Sequence, residues 1–120
     1  MLQFICYPKC TTCQKAKKWL DDNGIQYQLR DIKLDHPTAD ALAQWHQISA
    51  LPLRKFFNTS GLLYKALELK TKLPTMTEAE MLALLATDGM LVKRPLLVTD
   101  NFVLVGFKES EWVEKVKDFL

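Results

Sequence analysis

The sequence predicts an α/β fold: a β-α-β unit, a helical stretch, and a closing β-β-α unit around a four-stranded mixed sheet. Three observations predict it. A short apolar run over residues 2–6 breaks at Tyr7-Pro8-Lys9, passes into helical periodicity from Thr11, and is followed by a second β-rich run over residues 25–32. Two more β-rich runs, residues 96–99 and 102–106, flank Asp100-Asn101. Trp112, Val113, Val116, Phe119 and Leu120 then mark an amphipathic C-terminal helix.

Leu2, Phe4, Ile5 and Cys6 fit a buried strand. In the helix from Thr11, Ala16, Trp19 and Leu20 share one face, with Lys15, Lys17 and Lys18 mostly on the other. Asn23-Gly24 ends it, Gly24 being free to take the left-handed cap. Tyr27 and Leu29 alternate with Gln26, Gln28 and Arg30, the period of a strand. A strand-helix-strand unit of this length closes as a right-handed parallel crossover. Pro37 suits a first helical turn, and residues 39–48 continue as a helix with Leu42 and Trp45 inward. Pro52 and Gly61 punctuate residues 51–75, within which 62–69 read as a short helix. Thr77 and Glu80 form a capping box; Met81, Leu82, Leu84 and Leu85 supply the apolar face behind it, and Gly89 stops the helix. Asp100 and Asn101 both tolerate positive φ, so a two-residue hairpin joins the last strands. With no repeat, low-complexity tract or linker, residues 1–120 are expected to form one domain with a helical insertion at about residues 37–90.

Composition narrows the function. A chain of 120 residues, 48% hydrophobic and 25% charged, is an ordinary soluble globular protein with room for a core. A net charge of +2 makes no bulk electrostatic case for binding nucleic acid or membrane. No apolar run approaches the ~20 residues that span a bilayer, and MLQFICYPKC lacks a signal-peptide layout. A cytoplasmic location is expected, and there three cysteines are not a disulfide framework.

The chemistry concentrates at Cys10 and Cys13. Zinc takes four ligands, usually as two close pairs, and the remaining candidates, Cys6, His36 and His46, have no matching spacing, so no metal is expected. Cys6 shares a strand face with Leu2 and Phe4 and reads as a small buried apolar residue. Cys10 and Cys13 instead follow a proline turn among polar neighbours. At the start of a helix, unpaired amides and the macrodipole favour a thiolate at Cys10, with Lys9 and Lys15 adding positive charge. Cys13, one turn on, is within reach to resolve a mixed disulfide. A C-x-x-C between the strand and helix of a β-α-β unit is the thioredoxin-like context. Such folds place a cis-proline opposite the cysteines. Pro95, opening the third strand, stands in that place, although an ordinary trans-proline fits the dipeptide equally. Arg94 is either a solvated strand-end cation or the charge that stabilises a thiolate and an anionic substrate. His36 and His46 read as solvated or core-edge residues and the three tryptophans as packing; Arg54 and Lys55 read as surface in preference to reaching an anion near the cysteines.

The chain resembles the arsenate reductase (ArsC) and Spx-like family, a thioredoxin-fold group, over nearly its whole length. The resemblance rests on Tyr7-Pro8-Lys9-Cys10-Thr11-Thr12-Cys13, on Phe56-Phe57-Asn58-Thr59-Ser60-Gly61 with Tyr64 and Leu67, on Lys93-Arg94-Pro95-Leu96-Leu97-Val98, and on Val105-Gly106-Phe107-Lys108-Glu109. It implies that Cys10 is the nucleophile, that Arg94 is the arginine before the cis-proline, and that Lys9, Thr11, Thr12 and Pro95 surround the substrate. Cys13 matches the second cysteine of the Spx-like branch, where the arsenate-reducing branch has serine. Gln14, Asn58 and Phe107 stand where that branch has anion-binding arginines, a loss that weakens arsenate binding.

Two functions follow from the resemblance. In the first, a bacterial thiol–disulfide oxidoreductase with arsenate reductase-like activity uses Cys10 to attack an oxyanion or disulfide. Cys13 or external glutathione resolves the product, glutaredoxin or thioredoxin is the candidate partner, and no cofactor is tightly bound. In the second, an Spx-like regulator contacts RNA polymerase and the cysteine pair is a redox switch. The chain ends in a short helix without the longer tail of typical Spx proteins, which favours the enzyme-like branch.

Overall fold

Strand β1 (Gln3–Cys6) feeds helix α1 (Thr11–Asp22), and the chain returns as β2 (Gln28–Asp31), parallel to β1 with Phe4 opposite Leu29. The computed structural model describes residues 2–117. Helix α2 (Ala39–Ser49) opens a helical stretch that continues through a 3-10 turn (Leu53–Phe56), α3 (Leu62–Ala66), α4 (Leu69–Lys72) and α5 (Glu78–Leu85). A 3-10 turn at Gly89–Leu91 then leads to the hairpin of β3 (Leu96–Val98) and β4 (Val103–Val105), and α6 (Glu109–Val116) follows. The sheet order is β2-β1-β3-β4, with β3 antiparallel to both its neighbours. This is the thioredoxin-like, four-stranded mixed sheet that the sequence predicts. No described helix is long and apolar enough to cross a membrane.

Strand alternation divides the core into two layers. Leu2, Phe4, Cys6, Leu97 and Leu104 face α1 and α6, where they meet Cys13, Ala16, Leu20, Trp112 and Val116. Ile5, Leu96, Val98 and Val103 face the helical stretch and pack with Leu42, Trp45, Phe56 and Leu85. The indole N–H of buried Trp112 donates to the Gly106 carbonyl (3.1 Å), tying α6 to the end of β4.

Several elements depart from expectation. β2 is shorter than residues 25–32, and Leu29 is 53% exposed because β2 is an edge strand; Ile25 and Ile32, flanking it, carry the burial. Pro37 lies outside the first turn of α2, since Thr38 is the N-cap and accepts the Ala41 N–H (3.1 Å). Residues 62–69 are not one helix: Glu68 takes a left-handed conformation (φ 54°) that separates α3 from α4. Gly89 does not stop α5, which already ends at Leu85 with Ala86 as its C-cap, but opens the following 3-10 turn. Neither Asp100 nor Asn101 has positive φ; their turn is closed by the Thr99 hydroxyl, which accepts the N–H groups of Asn101 (3.1 Å) and Phe102 (3.0 Å). Gly24 does adopt the left-handed cap (φ 65°). Phe119 and Leu120 lie outside the described residues.

The capping box forms as expected. The Thr77 hydroxyl accepts the Glu80 N–H (3.1 Å), and the Glu80 carboxylate accepts the Thr77 N–H (2.9 Å). Thr77→Ala is expected to cost about 1 kcal/mol, the usual worth of an N-cap. Urea denaturation would measure it, and an unchanged midpoint would show that α5 is held by its apolar face alone.

Candidate functional site

The turn after β1 sets the site. The Cys10 N–H donates to the Tyr7 carbonyl (2.9 Å), and Cys10 then serves, in extended conformation, as the N-cap residue of α1. Its side chain makes no cap hydrogen bond. Half-buried, Cys10 lines a cavity of about 670 Å³ together with Thr12, Asn58, Ser60, Met90, Lys93, Arg94 and Phe107. Leu62, 87% exposed, stands at its rim.

Two extended segments bring the opposite wall into place. Lys93 N–H donates to the Phe56 carbonyl (2.7 Å) and Asn58 N–H to the Leu91 carbonyl (2.8 Å), around a bridge between Phe57 and Val92. The Arg94–Pro95 peptide bond is cis. The Arg94 guanidinium lies 5.4 Å from the Tyr7 ring centroid, a cation–π contact, and donates to the Met90 carbonyl (3.2 Å). Its position is therefore held from two sides. Asn58, 9% exposed, accepts the Ser60 hydroxyl on its side-chain oxygen (3.3 Å), while its amide nitrogen lies over Gly61, 2.6 Å from where a Cβ would stand. Phe107 is pinned edge-on against Trp112, with ring centroids 4.9 Å apart.

Behind Cys10 lie two buried thiols. Cys13 is 1% exposed and accepts the Tyr7 N–H on its sulfur (3.4 Å). Its thiol is pushed far above the ordinary range, first by its hydrogen bond to Cys6 and then by burial; contacts with the Tyr7 N–H and Cys10 pull the other way. Cys6, 4% exposed, is lowered chiefly because it receives the Cys13 hydrogen bond, with burial opposing. Cys6 and Cys13 lie in one buried apolar layer with Cys10 packed against it, and of the three only Cys10 reaches the cavity. All three are free thiols.

The sequence-predicted residues divide accordingly. Cys10, Arg94 and Thr12 come together on the cavity, with Cys13 directly behind. Pro95 is buried beneath the wall, whereas Lys9 and Thr11 are exposed and outside the lining. Gln14 turns away to donate to the Pro8 carbonyl (3.1 Å). Arg54 and Lys55 line a second cavity, of about 940 Å³, on the side of the helical stretch. Lys93, which lines both cavities, and Ser60 stand in the sequence only as motif residues without a site role, and Met90 is not singled out at all. The signal for Lys93 was its place beside Arg94, one residue further from the cis-proline.

Comparison with known proteins matches this geometry to a family. The ArsC family model matches residues 6–115. YusI of Bacillus subtilis (strain 168) is 50% identical over 113 residues, covering 94% of this chain and 96% of YusI. The regulatory protein MgsR of the same organism is 29% identical, covering 97% of this chain and 90% of MgsR. The global transcriptional regulator Spx of Staphylococcus epidermidis (strain ATCC 12228 / FDA PCI 1200) is 26% identical, covering 92% and 83%. Among solved structures, an ArsC-family-related protein from Bacteroides fragilis is 60% identical with a TM-score of 0.93, covering 94% of this chain and 95% of that one. A possible arsenate reductase from Streptococcus mutans UA159 is 49% identical with a TM-score of 0.84, covering 90% and 92%. With the family match spanning all but the chain's extremities, this protein belongs to the ArsC/Spx-like family.

Proposed function

We propose that the chain is a thiol–disulfide oxidoreductase in which Cys10 is the nucleophile, Cys13 the internal resolving thiol and Arg94 the charge that steadies a developing thiolate or bound oxyanion. One observation carries this reading: the accessible sulfur at the head of α1 shares a cavity with Arg94 and Lys93, while a second cysteine, Cys13, is buried in the first turn of the same helix. Cys10 attacks a disulfide sulfur and expels one thiolate; Cys13 then displaces the second and closes a Cys10–Cys13 bond. Thr12 and the Asn58 amide supply neutral donors, Lys9 and Thr11 add polar groups at the surface, and Pro95 supports the wall. Glutathione, or a dithiol protein of the glutaredoxin or thioredoxin type, returns the pair to thiols. Leu62 gives a protein reductant an apolar foothold.

Arsenate is expected to be a poor substrate. Gln14 points away from the cavity, Phe107 is apolar, and Asn58 is neutral, which leaves Arg94 and Lys93 as the cations on the lining. A hydrogen bond to a charged group contributes about 1.5–3 kcal/mol, so losing even two of the three arginines that these residues replace costs roughly a hundredfold or more in efficiency. Steady-state kinetics with arsenate, glutathione and glutaredoxin test this; efficient, saturable turnover at micromolar arsenate would overturn it. In the same assays Arg94→Ala is expected to slow the reaction of Cys10 with a disulfide about tenfold or more while changing the melting temperature little.

A second reading is favoured by the regulators among the relatives, MgsR and Spx. In it the same cysteine pair is a redox switch on a protein that contacts RNA polymerase. A pull-down with purified RNA polymerase separates the two: stable binding altered by oxidation favours the regulator, and disulfide turnover without binding favours the enzyme.

A further inference from the structure

We propose that Cys6 is a third redox thiol, one that takes over the disulfide from Cys10 and stores it as a buried Cys6–Cys13 bond. The inference rests on the reading of Cys10 and Cys13 as a redox pair. Buried cysteines are commonly inert packing residues. Cys6 differs because Cys13 is seated beside it: the Cys13 sulfur accepts the N–H of Tyr7 (3.4 Å), the residue bonded to Cys6, and both cysteines are buried in one apolar layer. The layout is built by separate elements: Cys6 ends β1, Cys13 sits on the inward face of the first turn of α1, and Tyr7 between them anchors the Cys13 sulfur through its N–H. Both side chains belong to the apolar layer between β1 and α1, with Cys10 packed at its edge.

The steps balance with a low-molecular-weight disulfide, RSSR, as the oxidant. The Cys10 thiolate attacks RSSR, forming Cys10–S–S–R and releasing RS⁻. Cys13 attacks the Cys10 sulfur, losing its proton to solvent and releasing the second RS⁻, so that Cys10–Cys13 is formed. Cys6, deprotonated as it attacks, then bonds to the Cys13 sulfur and expels Cys10 as a thiolate, which takes up a proton. The net result is two thiols oxidised and one RSSR reduced to two RSH. The product disulfide lies where the residues are 4% and 1% exposed, shielded from solvent thiols, and Cys10 is returned to the cavity as a free thiol. Forming the bond requires the two sulfurs to approach to about 2.05 Å.

The chain carries its own test. Trypsin cuts after Lys9 and Lys15, so Cys6 falls on residues 1–9 and Cys10 and Cys13 on residues 10–15. The full-length protein is oxidised with one equivalent of oxidised glutathione, alkylated while folded, and digested without reduction. The expected product is residues 1–9 linked to residues 10–15 through Cys6 and Cys13, with Cys10 alkylated. In Cys13→Ser the linkage is expected to vanish. An internal Cys10–Cys13 bond with Cys6 free, or a linkage that survives Cys13→Ser, overturns the relay while leaving Cys10 as the nucleophile. If no cysteine of the chain forms a disulfide and no glutathione adduct appears, the redox-pair reading itself is overturned and the relay with it.

Discussion

Cys10→Ser is expected to remove the thiol reactivity of the folded protein almost completely and to leave its fold standing. The remaining cysteines, Cys6 and Cys13, are 4% and 1% exposed, so an alkylating reagent reaches them only when β1 and α1 part. A local opening that costs even 3 kcal/mol slows labelling by roughly a hundredfold. Exchange with external disulfides is lost in the same variant, because Cys10 is the cysteine on the cavity lining. Stability moves the other way. Cys10 occupies the N-cap of α1 without a side-chain cap bond, and serine is among the best N-cap residues, so the variant is expected to equal or exceed the parent by up to about 1 kcal/mol. Mass spectrometry of iodoacetamide-treated protein, folded and in denaturant, reads both effects alongside a melting curve. Rapid labelling of Cys13 in the folded variant would show that the head of α1 is open, and would remove the distinction between an accessible and a sheltered thiol.

The parts of this site that were legible in the sequence are those carried by local pattern. The β-α-β run, the C-x-x-C at the head of its helix and the capping box at Thr77 each depend on neighbours a few residues apart. Their physics is therefore written contiguously. Arg94 and Pro95 were legible through resemblance, and the cis bond between them stands where that resemblance places it. The opposite wall was legible only in part: the resemblance placed Asn58 at an anion-binding position, but not the pairing that brings it and Lys93 there. Asn58 and Lys93 reach the cavity through the pairing of residues 56–58 with 91–93, a long-range contact made inside the helical stretch, where no period announces it. The same holds for Leu29: strand alternation assigned it a face, but whether that face is covered depends on β2 being the edge of the sheet. Cys6 is the instructive case. Its burial was legible from its strand, whereas its place beside Cys13 in one buried layer depends on how α1 settles on β1.

Gly89→Ala is expected to destabilise this chain far more than loss of the Thr77 cap. Local pattern makes Gly89 a helix stop, yet α5 has ended before it, and the residue serves a different need. A Cβ at this position would stand 1.8 Å from the Ile32 carbonyl oxygen, 2.7 Å from its carbon and 3.2 Å from the His36 Cβ. The obstacle is backbone, so no side chain can rotate away. Ile32 is itself fixed, its N–H bonded to the Cys6 carbonyl (2.9 Å) at the end of the β1–β2 pair. The 3-10 turn is equally constrained, because the Asp88 carboxylate accepts the Met90 N–H (2.8 Å) and the Gly89 carbonyl accepts the Val92 N–H (3.1 Å). One of these segments must shift. Overpacking ordinarily costs 1–3 kcal/mol, and a clash between two pinned backbones belongs at or above about 3 kcal/mol, a large share of a domain's total stability. The damage also reaches the chemistry, since the Met90 carbonyl that anchors Arg94 belongs to the displaced turn. Urea denaturation is expected to show a sharply lowered midpoint, and the surviving folded protein a slowed reaction of Cys10 with disulfides. A variant within 1 kcal/mol of the parent would mean that the turn moves freely past Ile32, and that Arg94 is not held in place by it.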